Sequence, residues 1–175
     1  MRAPDPDPLY LEPLYLDDLV VGQRFTTRSH EIDAAQIVAF ARQFDPQAFH
    51  LDDEAARETL FGGLAASGWH TAAITMRLLV GDGAPFAGGI VGAGAEVSWP
   101  GPTRPLDVLR VVSEVVDITP SRSKPRGIVT LRSETLNQHG EVRQLMISKL
   151  VVPRRQPQAA DAREGAAAHS PAGAC

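Results

Sequence analysis

The chain has a single cysteine, Cys175, and it is the last of 175 residues. A lone terminal thiol cannot close an internal disulfide and has no packed surroundings to activate it, so neither a disulfide framework nor cysteine nucleophilic catalysis is expected. Aromatic residues are sparse at 6%, and no stretch approaches the roughly 20 apolar residues of a membrane-spanning helix. The N-terminus, Met-Arg-Ala-Pro-Asp-Pro-Asp-Pro, carries no basic, apolar leader, and a cytoplasmic protein without a membrane partner is expected. No His or carboxylate cluster has metal-ligand spacing, so no metal is expected either. There is no internal repeat. One domain of this length buries about 70% of the surface that its unfolded chain exposes, which requires no staple.

The net charge of −4 conceals an uneven distribution. Residues 1 to 60 carry twelve acidic and five basic side chains, whereas residues 101 to 155 carry ten basic and five acidic. The basic side chains of the second half lie mostly at alternate positions of strand-like segments, the pattern of a solvated sheet face. Neither a basic helix nor a row of stacking aromatics accompanies them, so nucleic acid is not an expected partner.

Patterning along the chain predicts an α+β order. Residues 1 to 13 are Pro-rich and extended, and a strand is expected near Gln23 to Ile32. Asp33 is placed to cap a first helix whose Ile37, Val38, Phe40, Ala41 and Phe44 form an apolar stripe, read as core. Asp45-Pro46 ends that helix, because proline biases the residue before it away from helical geometry. Asp52 then caps a short helix to about Leu60, with Asp53 and Glu54 favouring its N-terminal dipole. A buried helix begins near Gly68, since Thr71 to Val80 is apolar apart from Arg77. Ile90 to Trp99, Leu106 to Ile118, Arg126 to Asn137 and Glu141 to Val152 alternate as four long strands joined by turns, and an antiparallel meander is expected. Residues 154 to 175, Ala-rich and without apolar periodicity, are expected to be a disordered tail.

Two places carry chemistry. Phe44 to His50, Phe-Asp-Pro-Gln-Ala-Phe-His, sets Asp45 and His50 five positions apart on a loop after the first helix. A carboxylate and an imidazole there can together manage the protons of one water, although Asp-Pro after a helix is also ordinary turn chemistry. Ser67-Gly68-Trp69-His70 opens the buried helix. Its first backbone N–H groups lack intrahelical partners and suit an oxyanion, and Gly68 admits a ligand close to the backbone. The alternative is a Ser67 cap with Gly68 chosen for packing. His70, in the first turn, either lines a substrate channel or bonds a neighbouring polar group. Thr71 and Thr75 either reach a ligand or bond their own helix.

Asp-x-x-x-x-His, then a Gly-rich small-residue segment and Ser-Gly-Trp-His at the head of an apolar helix, resembles the MaoC-like dehydratases, also called hydratase-2 or (R)-specific enoyl-CoA hydratases. The resemblance covers roughly residues 14 to 153 and implies a hot-dog fold, in which an antiparallel sheet wraps a long central helix, usually in a dimer. The family's motif is normally Asp-x-Asn-Pro-x-His; here Gln47 stands at the Asn position and Ala48 at the Pro position. Arg104-Pro105-Leu106-Asp107 is similar to an Arg-Pro-Gly-Asp turn common in the family, with Leu106 in place of glycine. The resemblance implies hydration of an enoyl-CoA to an (R)-3-hydroxyacyl-CoA within fatty-acid metabolism. Asp45 and His50 would be catalytic, with Ser67, Gly68, Trp69, His70 and Gln47 around the substrate. No cofactor is implied, coenzyme A being part of the substrate, and a homodimer or higher homo-oligomer is expected. Arg122, Lys124 and Arg126, clustered on one turn, are candidates for its phosphates, or simply a solvated hairpin loop.

Two other readings remain open at the sequence level. Hot-dog thioesterases commonly carry an acidic residue on the central helix, and residues 69 to 80 contain no Asp or Glu. A non-catalytic acyl-thioester binding subunit is permitted by the altered loop at Gln47 and Ala48.

Overall fold

The computed structural model describes residues 12–155. The expected extended segment up to residue 11, and the tail from residue 156 with His169 and Cys175, lie outside the described residues. Arg154 and Arg155, expected in that tail, are instead tied down. The Arg154 N–H donates to the Pro125 carbonyl at 2.9 Å, and Arg155 pairs with Asp18 at 2.9 Å.

The first strand is split in two, β1 (Arg24–Thr26) and β2 (His30–Glu31). Thr27 causes the break: its hydroxyl donates to the Arg28 carbonyl at 2.8 Å and accepts the Val111 N–H at 3.0 Å, taking over a bond that a continuous ladder would supply. Helix α1 (Ala34–Phe44) starts where Asp33 accepts the Gln36 N–H at 2.7 Å. Ile37 and Ala41 are fully buried, but Phe44 is 68% exposed. The stripe is therefore shorter than its periodicity predicts, because the last turn of α1 runs past the core and Phe44 leans only on Phe40, 5.0 Å between rings. Helices α2 (Ala48–Leu51) and α3 (Asp53–Arg57) follow, the second capped by Asp52 and ending before the expected Leu60. Then comes α4 (Gly68–Asp82), the central helix.

Strands β3 (Gly92–Ser98), β4 (Val108–Pro120), β5 (Arg126–Leu136) and β6 (Val142–Pro153) follow at the expected places. The last three form the antiparallel meander that was expected, but β3 does not lead into it. The sheet runs β1-β4-β5-β6-β3, with β2 also on β4, so β3 pairs with β6 and never meets β4. Residues 99 to 107 instead cross the open end of the sheet over the head of α4. The sheet needs this crossing because it curls around α4: Leu109, Val111 and Val115 of β4, Val129 and Leu131 of β5, and Met146, Leu150 and Val152 of β6 all point inward and are buried. α4 meets Leu109, Val111 and Met146 with Ile74, Leu78 and Leu79, while Val115, Val129, Leu131, Leu150 and Val152 pack with Leu16, Leu19, Ala84 and Phe86. Burying a Leu or Ile side chain of this kind stabilises the fold by roughly 1.5–3 kcal/mol. The architecture is α+β, a hot-dog fold.

Arg104-Pro105-Leu106-Asp107 closes the crossing. Leu106 has φ of 71°, the only non-glycine in the left-handed region among the described residues, and its side chain is 65% exposed. Leucine there strains the backbone without filling space. Leu106→Gly is expected to stabilise the fold by about 0.5–1 kcal/mol after the added freedom of the unfolded chain is counted, raising Tm by about 2 °C. A thermal melt with no rise would show that the turn carries no strain.

Candidate active site

The site is assembled by a hydrogen bond between the loop after α1 and the start of α4. Ser67 caps α4, its Oγ accepting the Trp69 N–H at 3.2 Å, and the same hydroxyl donates to Asp45 Oδ2 at 2.6 Å. On its other oxygen Asp45 accepts the Gln47 side-chain amide at 2.7 Å. The longer Gln47 thus reaches back to the carboxylate, and Ala48 begins α2, which carries His50 inward. His50 is buried, with Nδ1 2.7 Å from the Ala65 carbonyl oxygen and Nε2 3.4 Å from Asp45 Oδ2. A carbonyl only accepts, so Nδ1 carries the hydrogen, and in the neutral ring Nε2 is free to take a proton. Burial works to raise the Asp45 carboxyl, but the bonds from Ser67 and Gln47 and the neighbouring His50 outweigh it, and Asp45 lies below the usual 3.8.

His50 and Gly68 line a cavity of about 420 Å³ together with Phe61, Ala66, Thr71 and the crossing segment Trp99 to Thr103. Gly68 is the first helical residue, so its N–H has no intrahelical acceptor, and Ser67 occupies only that of Trp69. The Ser67 cap and the packing role of Gly68 are both seen, at a residue that also lines the cavity. A Cβ there would lie 2.7 Å from the Trp99 indole, which packs directly on it.

The other sequence candidates fall into place differently. Trp69 is 63% exposed, and its ring makes an edge contact with Trp99, 5.3 Å between rings. His70 does not line the cavity. It stacks on Phe40 at 4.5 Å with rings 4° from parallel, its Nδ1 has no partner among the described residues, and burial, helped by His30, lowers its pKa to about 4. Thr71 and Thr75 bond their own helix and also Thr103 and Thr135, at 2.9 Å and 2.6 Å. Arg122, Lys124 and Arg126 sit at the far end of β4 from the cavity, a separation of about 40 Å for a strand of this length, so within one chain they do not approach it.

Arg104 and Asp107 were marked in the sequence only as parts of a family-like turn, and their bracing role was not read there. Arg104 donates to the carbonyls of Phe61, Gly63 and Leu64, fixing the loop that holds Phe61 beside His50. Asp107 in turn accepts the Arg104 N–H and pairs with Arg143 at 2.9 Å. The Ala65 carbonyl and Trp99 were not marked for the site; an aromatic ahead of Pro100-Gly101-Pro102 was the one available hint.

A hot-dog fold with a carboxylate and an imidazole at the head of its central helix defines a class, and comparison with known proteins gives the family. The MaoC like domain matches residues 18–137. The chain belongs to this family. It is similar to the crystal structure of a MaoC-like dehydratase from Rhodospirillum rubrum, with 63% identity, a TM-score of 0.81, and coverage of 82% of this chain and 99% of that one. An uncharacterized protein, YdeM, of Bacillus subtilis (strain 168) is 38% identical over 70% of this chain and 87% of its own length. A 3-hydroxybutyryl-CoA dehydratase of Methylorubrum extorquens is 31% identical over 66% of this chain and 73% of its own.

Ionised Asp45 stabilises the fold above the unfolded carboxyl value, and that contribution is lost as pH falls through its lower folded value. Ser67→Ala removes one of the bonds that depress it. In carbon-13 NMR titrations the Asp45 carboxyl is expected to titrate at higher pH in this variant, with stability at neutral pH lower by about 1 kcal/mol from the lost cap. An unmoved Asp45 titration would count against the role given to Ser67.

Proposed function

We propose that this chain is a hydro-lyase that interconverts a trans-2-enoyl-CoA and water with an (R)-3-hydroxyacyl-CoA. The observation that carries the reading is the 3.4 Å approach of Asp45 Oδ2 to His50 Nε2, beside a cavity that Gly68 lines. Its support from relatives is the similarity to a protein named 3-hydroxybutyryl-CoA dehydratase. In this reading the thioester carbonyl oxygen lies against the Gly68 N–H, and the enolate charge that builds when water attacks carbon 3 meets the positive end of α4. Asp45 and His50 divide the two proton transfers, one from the water and one to carbon 2. Of the pair, His50 lines the cavity and Asp45 stands against its Nε2, and the reading takes both transfers on that side, a syn addition. The Ser67 and Gln47 bonds hold Asp45 in place, and the Ala65 carbonyl fixes the His50 tautomer.

The same proposal includes a second copy of the chain. Trp69 and Val80 on α4 are 63% and 69% exposed, Met76 lies between them on the same face, and β3 has one edge without a partner strand among the described residues. Seven and eleven residues after Trp69, Met76 and Val80 continue one helical stripe, and an unpaired edge beside it invites a second sheet. Val80→Asp is expected to shift the molecular mass in light scattering from dimer to monomer. A wild-type chain that already scatters as a monomer would remove this part of the proposal.

The reaction is tested by the loss of crotonyl-CoA absorbance, run beside a free-thiol assay. Asp45→Asn and His50→Ala are each expected to lower hydration by at least about a hundredfold without loss of fold. Release of thiol would assign a thioesterase, and near-normal turnover in either variant would overturn the assignment.

A further inference from the structure

A second cavity, of about 320 Å³, lies farther along α4 and is lined mainly by apolar groups, among them Met76, Leu79, Met146 and Leu150. α4, and β3 with the residue after it, reach both cavities and give the same order, while β6 reaches only the second. On α4, Gly68 and Thr71 line the first cavity, and Met76 and Leu79 the second. On β3, Gly94 and Ala95 line the second, and Trp99, just after the strand, the first. On β6, Met146 and Leu150 line the second, and Gln144 stands one inward position before them. The rise of a helix puts the two sets of α4 residues about 8–16 Å apart.

What stands between is polar and tethered. The Trp99 indole packs on Gly68, and its Nε1–H donates to Gln144 Oε1 at 2.9 Å. Gln144 is 0% exposed, and its amide Nε2 has no partner among the described residues. Its register partner Thr135 bonds Thr75 across the helix and sheet at 2.6 Å. A hydrocarbon chain leaving the first cavity toward the second must displace the indole and pass an unpaired amide and a pair of hydroxyls, a route that costs polar contacts and offers none in return.

We propose that Trp99, positioned by Gln144, is a partition that sets acyl chain length: it confines the acyl group to the first cavity and so selects short-chain thioesters, while the apolar cavity beyond is space that only a longer chain would fill. This rests on the reading of the first cavity as an acyl-CoA site. Trp99 is the wall; Gln144 acts through it as a positioning residue.

The test uses saturated thioesters, which bind without being hydrated. Butyryl-CoA and octanoyl-CoA are titrated calorimetrically into the full wild-type chain and into Trp99→Ala and Gln144→Leu, with folding checked by circular dichroism. Four extra methylenes, if buried, tighten binding by about a hundredfold or more. The wild-type chain is expected to gain less than about threefold from them, Trp99→Ala about tenfold or more, and Gln144→Leu an amount between. A wild-type preference for octanoyl-CoA of tenfold or more overturns the partition, as does a wild-type ratio retained in both folded variants. Binding of neither thioester overturns the partition and the acyl-CoA site together. The outcome is separate from that of the hydration assay: a chain that discriminates by length but hydrates nothing keeps its partition and loses its proposed reaction.

Discussion

The fold depends on one constraint, that a single helix must be wrapped along its length by a sheet of longer strands. α4 presents Ile74, Leu78 and Leu79 to the sheet, and strands of 11 to 13 residues are long enough to curl around it. Once the sheet has curled, its ends cannot be joined by a short turn. β3 is carried to the β6 side, and the chain must return across the head of α4 to begin β4. The wall of the candidate site is that return segment, so the cavity follows from the wrapping.

The head of α4 is also where polar groups converge. A helix start leaves N–H groups without partners, and Ser67 answers with one hydroxyl that caps the helix and holds Asp45. Arg104 braces the neighbouring loop through three carbonyls, and Asp107 braces Arg104. Few of these groups touch the cavity. They fix the ones that do, which is how an exposed loop after α1 presents a buried imidazole in a single orientation.

Polar side chains recur deeper along the same helix: Thr71 with Thr103, Thr75 with Thr135, and Gln144 with Trp99. A buried Ser113–Ser133 pair on β4 and β5 adds to these polar contacts on the inner face of the sheet. His70 shows the opposite treatment of a polar group. It is stacked on Phe40 away from the cavity, with its pKa lowered to about 4, so it stays neutral near pH 7 and acts as packing.

The sequence by itself determined the long elements, α1, α4 and β3 to β6, and set Asp45 and His50 near each other in the chain. Helix and strand periodicities, the caps at Asp33, Asp52 and Ser67, and the Asp45-Pro46 stop are local properties, governed by sterics and hydrogen bonds within a few residues. The match of Gln47 to an asparagine position and of Leu106 to a glycine position was legible too, but not what each does there. Tertiary structure alone decided the pairing of β3 with β6, the seat of Trp99 on Gly68, the removal of His70 from the cavity and the exposure of Phe44. Each of these depends on where a curled sheet brings residues that are distant in the chain, such as Trp99 and Gln144, and no local period records that distance.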